Sequence, residues 1–244
     1  MAVQLPLDIK WNESASLERF IAGANAESAN WVAAAAEGRN QGPALFLHGP
    51  PATGKSHLLQ GACKRAAANG TPAAYLPLCQ LGGYGAALFE GFEQAGLVAV
   101  DDVDVLEVDD GMQHGLFHFF NRAVESGCSL LFAARQPPAQ LDLKLADLRS
   151  RLSWGVVIAL QQPDEQTCLL ILRQRASIRG LDLPPATARY LIRRLPRSIA
   201  ILLDVFDDLD RASLAQGRRL TVPFVRGYLN QQGLLGESAP GTAS

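Results

Sequence analysis

No run of eighteen apolar residues occurs in the 244-residue chain, and its N-terminus has neither a basic segment nor the apolar stretch of a secretion signal. Membrane insertion and export are therefore unsupported, and a cytoplasmic location is expected. Cysteine is sparse: Cys63, Cys79, Cys128 and Cys168 lie far apart, with no C-x-x-C pair and no His cluster beside them. Neither a zinc site nor a disulfide framework is indicated. A net charge of −2 gives no global field to draw nucleic acid. Lys and Arg are absent between Ala66 and Asn121, whereas arginines from Arg173 to Arg197 crowd the later part. On amphipathic helices such a cluster more often forms a solvated or partner-facing surface than a grip on DNA phosphates.

What is present is an apolar fraction of 48%, enough for one sizeable packed domain with a small appendage. The most informative stretch is Gly49-Pro-Pro-Ala-Thr-Gly-Lys-Ser56, a complete G-x-x-x-x-G-K-[ST] loop entered from the apolar run 44–48. Gly49 and Gly54 let the backbone curl so that N–H groups and a helix N-terminus point at phosphate oxygens. Lys55 is placed to reach the β and γ phosphates, and the Ser56 hydroxyl to ligate Mg²⁺. The helical spacing of Leu58, Leu59, Ala62 and Ala66 predicts a helix over 55–68.

Short apolar runs alternate with helical patterns from residue 44 to 161, which predicts a parallel sheet covered on both faces. The expected strands are 45–48, 73–78, 97–102, 129–134 and 156–161, with the clearest intervening helix over 112–126. After Pro163 only helical patterns remain, over 164–179, 185–195, 198–214 and 222–230. The fold class is thus α/β: a P-loop NTPase core with a five-stranded parallel sheet, plus a small C-terminal helical subdomain. The boundaries are an N-terminal segment at 1–15, the core at 16–163, the helical part at 164–232 and a disordered tail at 233–244.

The third expected strand ends in Asp101-Asp102. Asp101 is placed to hold the Mg²⁺ shell, and Asp102 stands where a water-activating carboxylate belongs. Two acids at a strand end also suit a plain turn.

Three further stretches carry a family resemblance: Phe20-Ile-Ala-Gly23-Ala-Asn25, the loop and helix Gly49–Gln60 with Gly-Lys-Ser-His57-Leu-Leu-Gln, and Leu148-Arg-Ser-Arg151-Leu-Ser-Trp154-Gly155. They resemble the AAA+ class of ATPases, and within it the family of the bacterial replication initiator DnaA and its shorter regulatory relatives of the Hda type. The similarity spans about residues 17–230. It implies an AAA+ core with a helical lid, and bound ADP or ATP with Mg²⁺. Phe20, Gly23, Asn25, Gly49, Gly54, Lys55, Ser56, His57 and Arg197 would line the cofactor, with Phe20 to Asn25 against the adenine and Arg197 as a second sensor in the lid.

The resemblance also makes Arg151 an arginine finger, supplied in trans to a neighbouring subunit's γ-phosphate. A local alternative pairs Arg151 with Asp147, one turn earlier. At the end of the fourth strand, where the family carries a polar residue that orients water, this chain has Ala133-Ala134-Arg135, so intrinsic hydrolysis is expected to be slow. Gln4-Leu5-Pro6-Leu7 resembles a docking motif for the β sliding clamp of DNA polymerase, with Gln4, Leu5 and Leu7 as the contacts. The sequence ends soon after the lid pattern, which favours the regulatory relative over an origin-binding initiator. The implied partners are the DnaA initiator and the clamp, with DNA reached only indirectly through the clamp and a homo-oligomer left open. A stand-alone AAA+ ATPase or helicase-loader-like protein is the alternative.

Overall fold

A computed structural model describes residues 15–39, 42–196 and 198–234. The chain divides into two compact units, Met1–Gln161 and Gln162–Ser244. In the first, the elements are α1 (Ala26–Ala36), β1 (Ala44–His48), α2 (Lys55–Ala68), β2 (Ala73–Pro77), α3 (Leu78–Leu81), β3 (Leu97–Asp101), α4 (Asp110–Glu125), β4 (Ser129–Ala134), α5 (Ala146–Leu152) and β5 (Val156–Ala159). The five strands form one sheet in the order β2-β3-β4-β1-β5, and every pairing is parallel.

Alternation along each strand sorts the side chains into two cores. Phe46, Val98, Val100, Leu130 and Phe132 pack with Leu116, Phe119 and Phe120 of α4 on one face. Leu45, Leu47, Ala99, Leu131 and Ala133 pack with Val32 of α1 and Leu58, Leu59 and Ala62 of α2 on the other. Both faces are covered, which is why the strands carry almost continuous apolar runs.

The expected strands are all present, with ends displaced by chemistry that periodicity does not carry. Asp102 leaves β3 because it turns into the left-handed region (φ 56°, ψ 44°) and opens a 3-10 segment, Val103–Val108. Leu78 begins α3 instead of ending β2. The expected helix start at 112 moves to Asp110, because the Asp109 carboxylate caps the Met112 N–H at 2.9 Å. Gly61 sits inside α2 because the backbone of 16–17 crosses it: a Cβ there would meet Leu17 N at 2.9 Å.

The second unit holds α6 (Glu165–Ile178), α7 (Pro185–Arg194), α8 (Ile199–Gln216) and α9 (Val222–Gln231). Their inner faces share a core built on Leu172, Leu191, Phe206, Leu209, Val225 and Leu229. Asp164 caps α6 through the Thr167 N–H at 2.7 Å, and Gly217 ends α8 at φ 61°. Between α6 and α8, Arg175 grips Asp207 with two bonds of 2.9 and 2.5 Å, while Arg179 bridges Asp207 and Asp210 at 2.9 and 3.0 Å. Burial alone would raise the Asp207 carboxyl, but the two guanidiniums, Arg175 foremost, outweigh it and hold the group below its ordinary value.

A carboxylate held low in the folded chain stabilises above its unfolded value and loses that contribution as pH falls through the folded one. Asp207→Asn is therefore expected to destabilise the full chain by about 1–2 kcal/mol at pH 7, the pair being partly exposed. In urea unfolding the gap to wild type should shrink once the pH drops below about 4.

Candidate functional site

The parallel sheet delivers the carboxyl ends of β1, β3 and β4 to one edge, where the candidate site lies. From β1 the chain passes His48 into the loop Gly49–Ser56, and α2 starts at Lys55 with Gly54 before it in a left-handed conformation (φ 99°, ψ 11°). Gly49 has φ 151°, and a Cβ there would lie 2.5 Å from the Leu160 carbonyl oxygen. At Gly54 a Cβ would lie 2.5 Å from Cε2 of Phe20. Gly49 is thus required twice, by torsion and by close approach to backbone, and Gly54 by its torsion. Ala52 also has a positive φ of 59°, the mark of a tightly curled loop.

The Lys55 ammonium donates to the carbonyls of Gly49 at 2.7 Å and Pro50 at 2.8 Å, so it is folded over its own loop. Burial lowers its pKa, against the pull of Asp101, Asp104 and Asp102, and Arg135 adds to the lowering. An ammonium partly stripped of water but surrounded by polar atoms is well suited to an anionic ligand.

Asp101 ends β3 almost wholly buried. Its Oδ2 accepts from the Tyr75 hydroxyl at 2.8 Å and its Oδ1 from the Asp102 N–H at 2.9 Å. The Ser56 hydroxyl bonds to the same carboxyl and favours its charged form. Burial nevertheless outweighs these bonds, and with the charge of Asp102 it raises the carboxyl above its ordinary value. Hydroxyl and carboxylate side by side fit Mg²⁺, which takes one or two protein oxygens and completes its shell with water and phosphate. Among the described residues no cluster of three or more His, Cys, Asp or Glu could hold a metal, in keeping with so sparse a donor set.

The other expected residues fall as follows. Phe20 lies over Gly54, with its ring centroid 5.7 Å from that of His57. The His57 Nε2 is 2.8 Å from the Ser16 carbonyl oxygen, and burial lowers its pKa against that bond. Asn25 gives its amide to the backbone of Gln161, donating at 2.9 Å and accepting at 2.8 Å. His57 and Asn25 thus shape the walls by holding main chain, while Gly23 supplies a left-handed turn at φ 49°. Asp102 stands beside Asp101 at the sheet edge. Gln4, Leu5, Leu7 and Arg197 lie outside the described residues.

Arg151 falls in the last turn of α5, with its guanidinium 5.0 Å above the Trp154 indole. No described carboxylate lies within ion-pair reach of it, so the alternative pairing with Asp147 does not form. The Trp154 ring is 49% exposed and leans on Phe120 at 6.3 Å. A half-buried planar cation thus lies on a propped aromatic plate.

Two family models match the chain: the Hda lid domain over residues 164–229 and the bacterial DnaA ATPase domain over residues 86–159. It is an Hda/DnaA-like AAA+ protein. Domain III of the replication initiation protein DnaA of Thermotoga maritima has the same fold, with a TM-score of 0.81 at 24% identity over 91% of this chain and 98% of that one. AMPPCP-bound DnaA from Aquifex aeolicus gives 0.73 at 22% identity, over 91% and 70%. The Thermotoga maritima RuvB Holliday junction branch migration motor gives 0.66 at 19%, over 89% and 72%. No helix among the described residues of this Hda/DnaA-like protein is long and apolar enough to cross a membrane.

Sequence reasoning missed Tyr75, the hydroxyl that holds Asp101. Its one signal was a polar tip in an apolar strand, without meaning until β2 and β3 are paired.

A buried carboxyl whose folded pKa is raised costs stability once the pH exceeds it, and the cost vanishes as the pH falls. Asp101→Asn keeps the shape, and the Tyr75 hydroxyl can turn from donor to acceptor. At pH 7 and without nucleotide the variant is expected to melt no lower than wild type, and any strengthening of ATP binding by Mg²⁺ is expected to be lost. A substantially lower melting temperature would show that the carboxylate braces the strand end instead of holding a cation.

Proposed function

We propose that the chain is a regulator of chromosomal replication initiation of the Hda kind. It binds ADP or ATP with Mg²⁺ through Gly49–Ser56 and Asp101, with Arg197 as the lid contact. It docks on the polymerase sliding clamp through Gln4, Leu5 and Leu7. From there it presents Arg151 to ATP held by a DnaA subunit and promotes its hydrolysis, which prevents re-initiation.

The observation that carries this reading is the state of Arg151. A surface arginine of purely structural use is commonly paired with a carboxylate; this one has none within reach among the described residues and rests on an exposed indole. A guanidinium so displayed is ready to meet a phosphate of another subunit, where an arginine finger neutralises charge that develops in the transition state. The chain's own phosphate loop is assigned a structural task, because Ala133 and Ala134 at the end of β4 are buried and apolar and offer no group to orient water. A stand-alone ATPase requires such a group.

Hydrolysis of DnaA-bound ATP in the presence of DNA-loaded clamp tests the reading. Arg151→Ala is expected to return the rate to the initiator's unstimulated level, an arginine finger being worth on the order of 10³–10⁵ in rate. Its binding of nucleotide and clamp should be unaltered; an unchanged rate removes the finger. Gln4→Ala combined with Leu5→Ala is expected to abolish clamp capture in a pull-down while leaving ADP affinity intact. Equal capture by the variant would remove the tether.

A further inference from the structure

The arginines of the second unit divide into two groups once their partners are known. Residues 164–234 carry eleven arginines, no lysine and seven carboxylates, a positive surplus of four in a chain whose net charge is −2. Arg175 and Arg179 are spent on Asp207 and Asp210 between α6 and α8, and Arg211 pairs with Asp208. α7, α9 and the turn before α9 are different, because neither 183–203 nor 212–236 contains an Asp or Glu. Arg189, Arg193, Arg194, Arg218, Arg219 and Arg226 are all exposed there. Among the described residues the one carboxylate within ion-pair reach of any of them is Glu165, 3.8 Å from Arg193, and both of those side chains lie mostly in water.

Packing gathers these cations. α7 buries Thr187, Ala188 and Leu191, so Arg189 and Arg193, one turn apart, ride its opposite face. Thr187 Oγ donates to the Leu220 carbonyl at 3.0 Å and pins the turn that carries Arg218 and Arg219 against the start of α7. α9 starts at Val222 behind its Thr221 cap, so the positive end of that helix adds to the same pair. Arg194 lies over the Tyr190 ring at 5.7 Å, supported by a neutral group. Large exposed apolar side chains, which mark a protein-binding face, fall elsewhere in this unit: Leu170 and Ile178 on α6, Ile201 and Leu214 on α8, and Leu234 beyond α9. Nor is an exposed ring offered for stacking on a base, since Tyr190, Phe224 and Tyr228 are half-buried. What such a face fits is a line of phosphates.

We infer that α7, the turn before α9 and α9 itself bind duplex DNA through its phosphate backbone, without regard to base sequence. Each guanidinium fork matches phosphate oxygens in charge and geometry, and each phosphate neutralised releases counterions. The negative charge of the whole chain does not oppose this, because salt confines an exposed charge's field to about 8 Å. The inference stands apart from the nucleotide, clamp and Arg151 readings and adds a direct contact with DNA to them.

The test titrates the full chain, without clamp or initiator, against a labelled duplex of about 30 base pairs and follows anisotropy from about 50 to about 200 mM NaCl. Wild type is expected to bind two duplexes of unrelated sequence equally, more tightly than a single strand of the same length, and with an affinity that falls steeply with salt. Arg218→Gln combined with Arg219→Gln is expected to weaken binding by at least about tenfold at 100 mM salt and to reduce the log–log salt slope by about 2, while Arg189→Gln reduces it by about 1. Arg218→Lys with Arg219→Lys, which keeps the charge, should restore most of the affinity. Arg39→Gln with Arg122→Gln removes as much charge from the first unit and should leave affinity within about twofold, and the melting temperature of every variant should match wild type, all of these side chains being exposed. Absence of binding at low salt, a slope unchanged by the Arg218 and Arg219 variant, or an equal loss in the first-unit variant would overturn the inference. Tighter binding of the single strand would overturn it too, since that needs stacked bases.

Discussion

Because all strands of the sheet run the same way, the chemistry of this protein is concentrated along one edge. Parallel pairing places the phosphate loop after β1, Asp101 and Asp102 at the end of β3, and Arg135 after β4 within one neighbourhood. Residues far apart in the sequence meet there through the parallel register of the strands. The two apolar cores hold that register fixed. A one-residue slip in a central strand would send the side chains of each core into the other, where their sizes do not fit, a packing cost larger than a single site interaction.

Within that edge the governing problem is electrostatic. Asp101 is buried and pushed towards its neutral form, Lys55 is desolvated and folded over its own loop, and Asp104 holds an arginine only loosely. Each group is less comfortable than it would be in water. Perturbed ionisable groups gathered at one sheet edge mark a candidate site for a charged ligand. The hydroxyl of Tyr75 and the N–H of Asp102 fix the orientation of the Asp101 carboxylate.

Arg151 obeys a different logic. Its helix is short, its platform is an exposed tryptophan, and that tryptophan is propped from behind by Phe120 of the sheet-facing helix α4. The cation is therefore held in place by packing and not by another charge. Neutral support leaves the full charge available to a partner, which an ion pair would not. The lid follows the opposite rule, with Arg175 and Arg179 spent on Asp207 and Asp210 to join α6 to α8.

The one-dimensional pattern determined the kind of fold, because periodicity, glycine placement and the spacing of the phosphate loop are local properties. Strand and helix identities, the helical second unit, and Lys55, Ser56 and Asp101 as a group were all legible that way. Element ends were not: Asp102 left its strand through a left-handed torsion, and α4 began early on an Asp109 cap. Only the tertiary structure decided which polar groups face one another. Asn25 and His57 hold main chain far along the sequence, Tyr75 holds Asp101, and Asp104 holds Arg135. The physical reason is range: a hydrogen bond acts over about 3 Å, and no local pattern records which distant residues the sheet will bring that close.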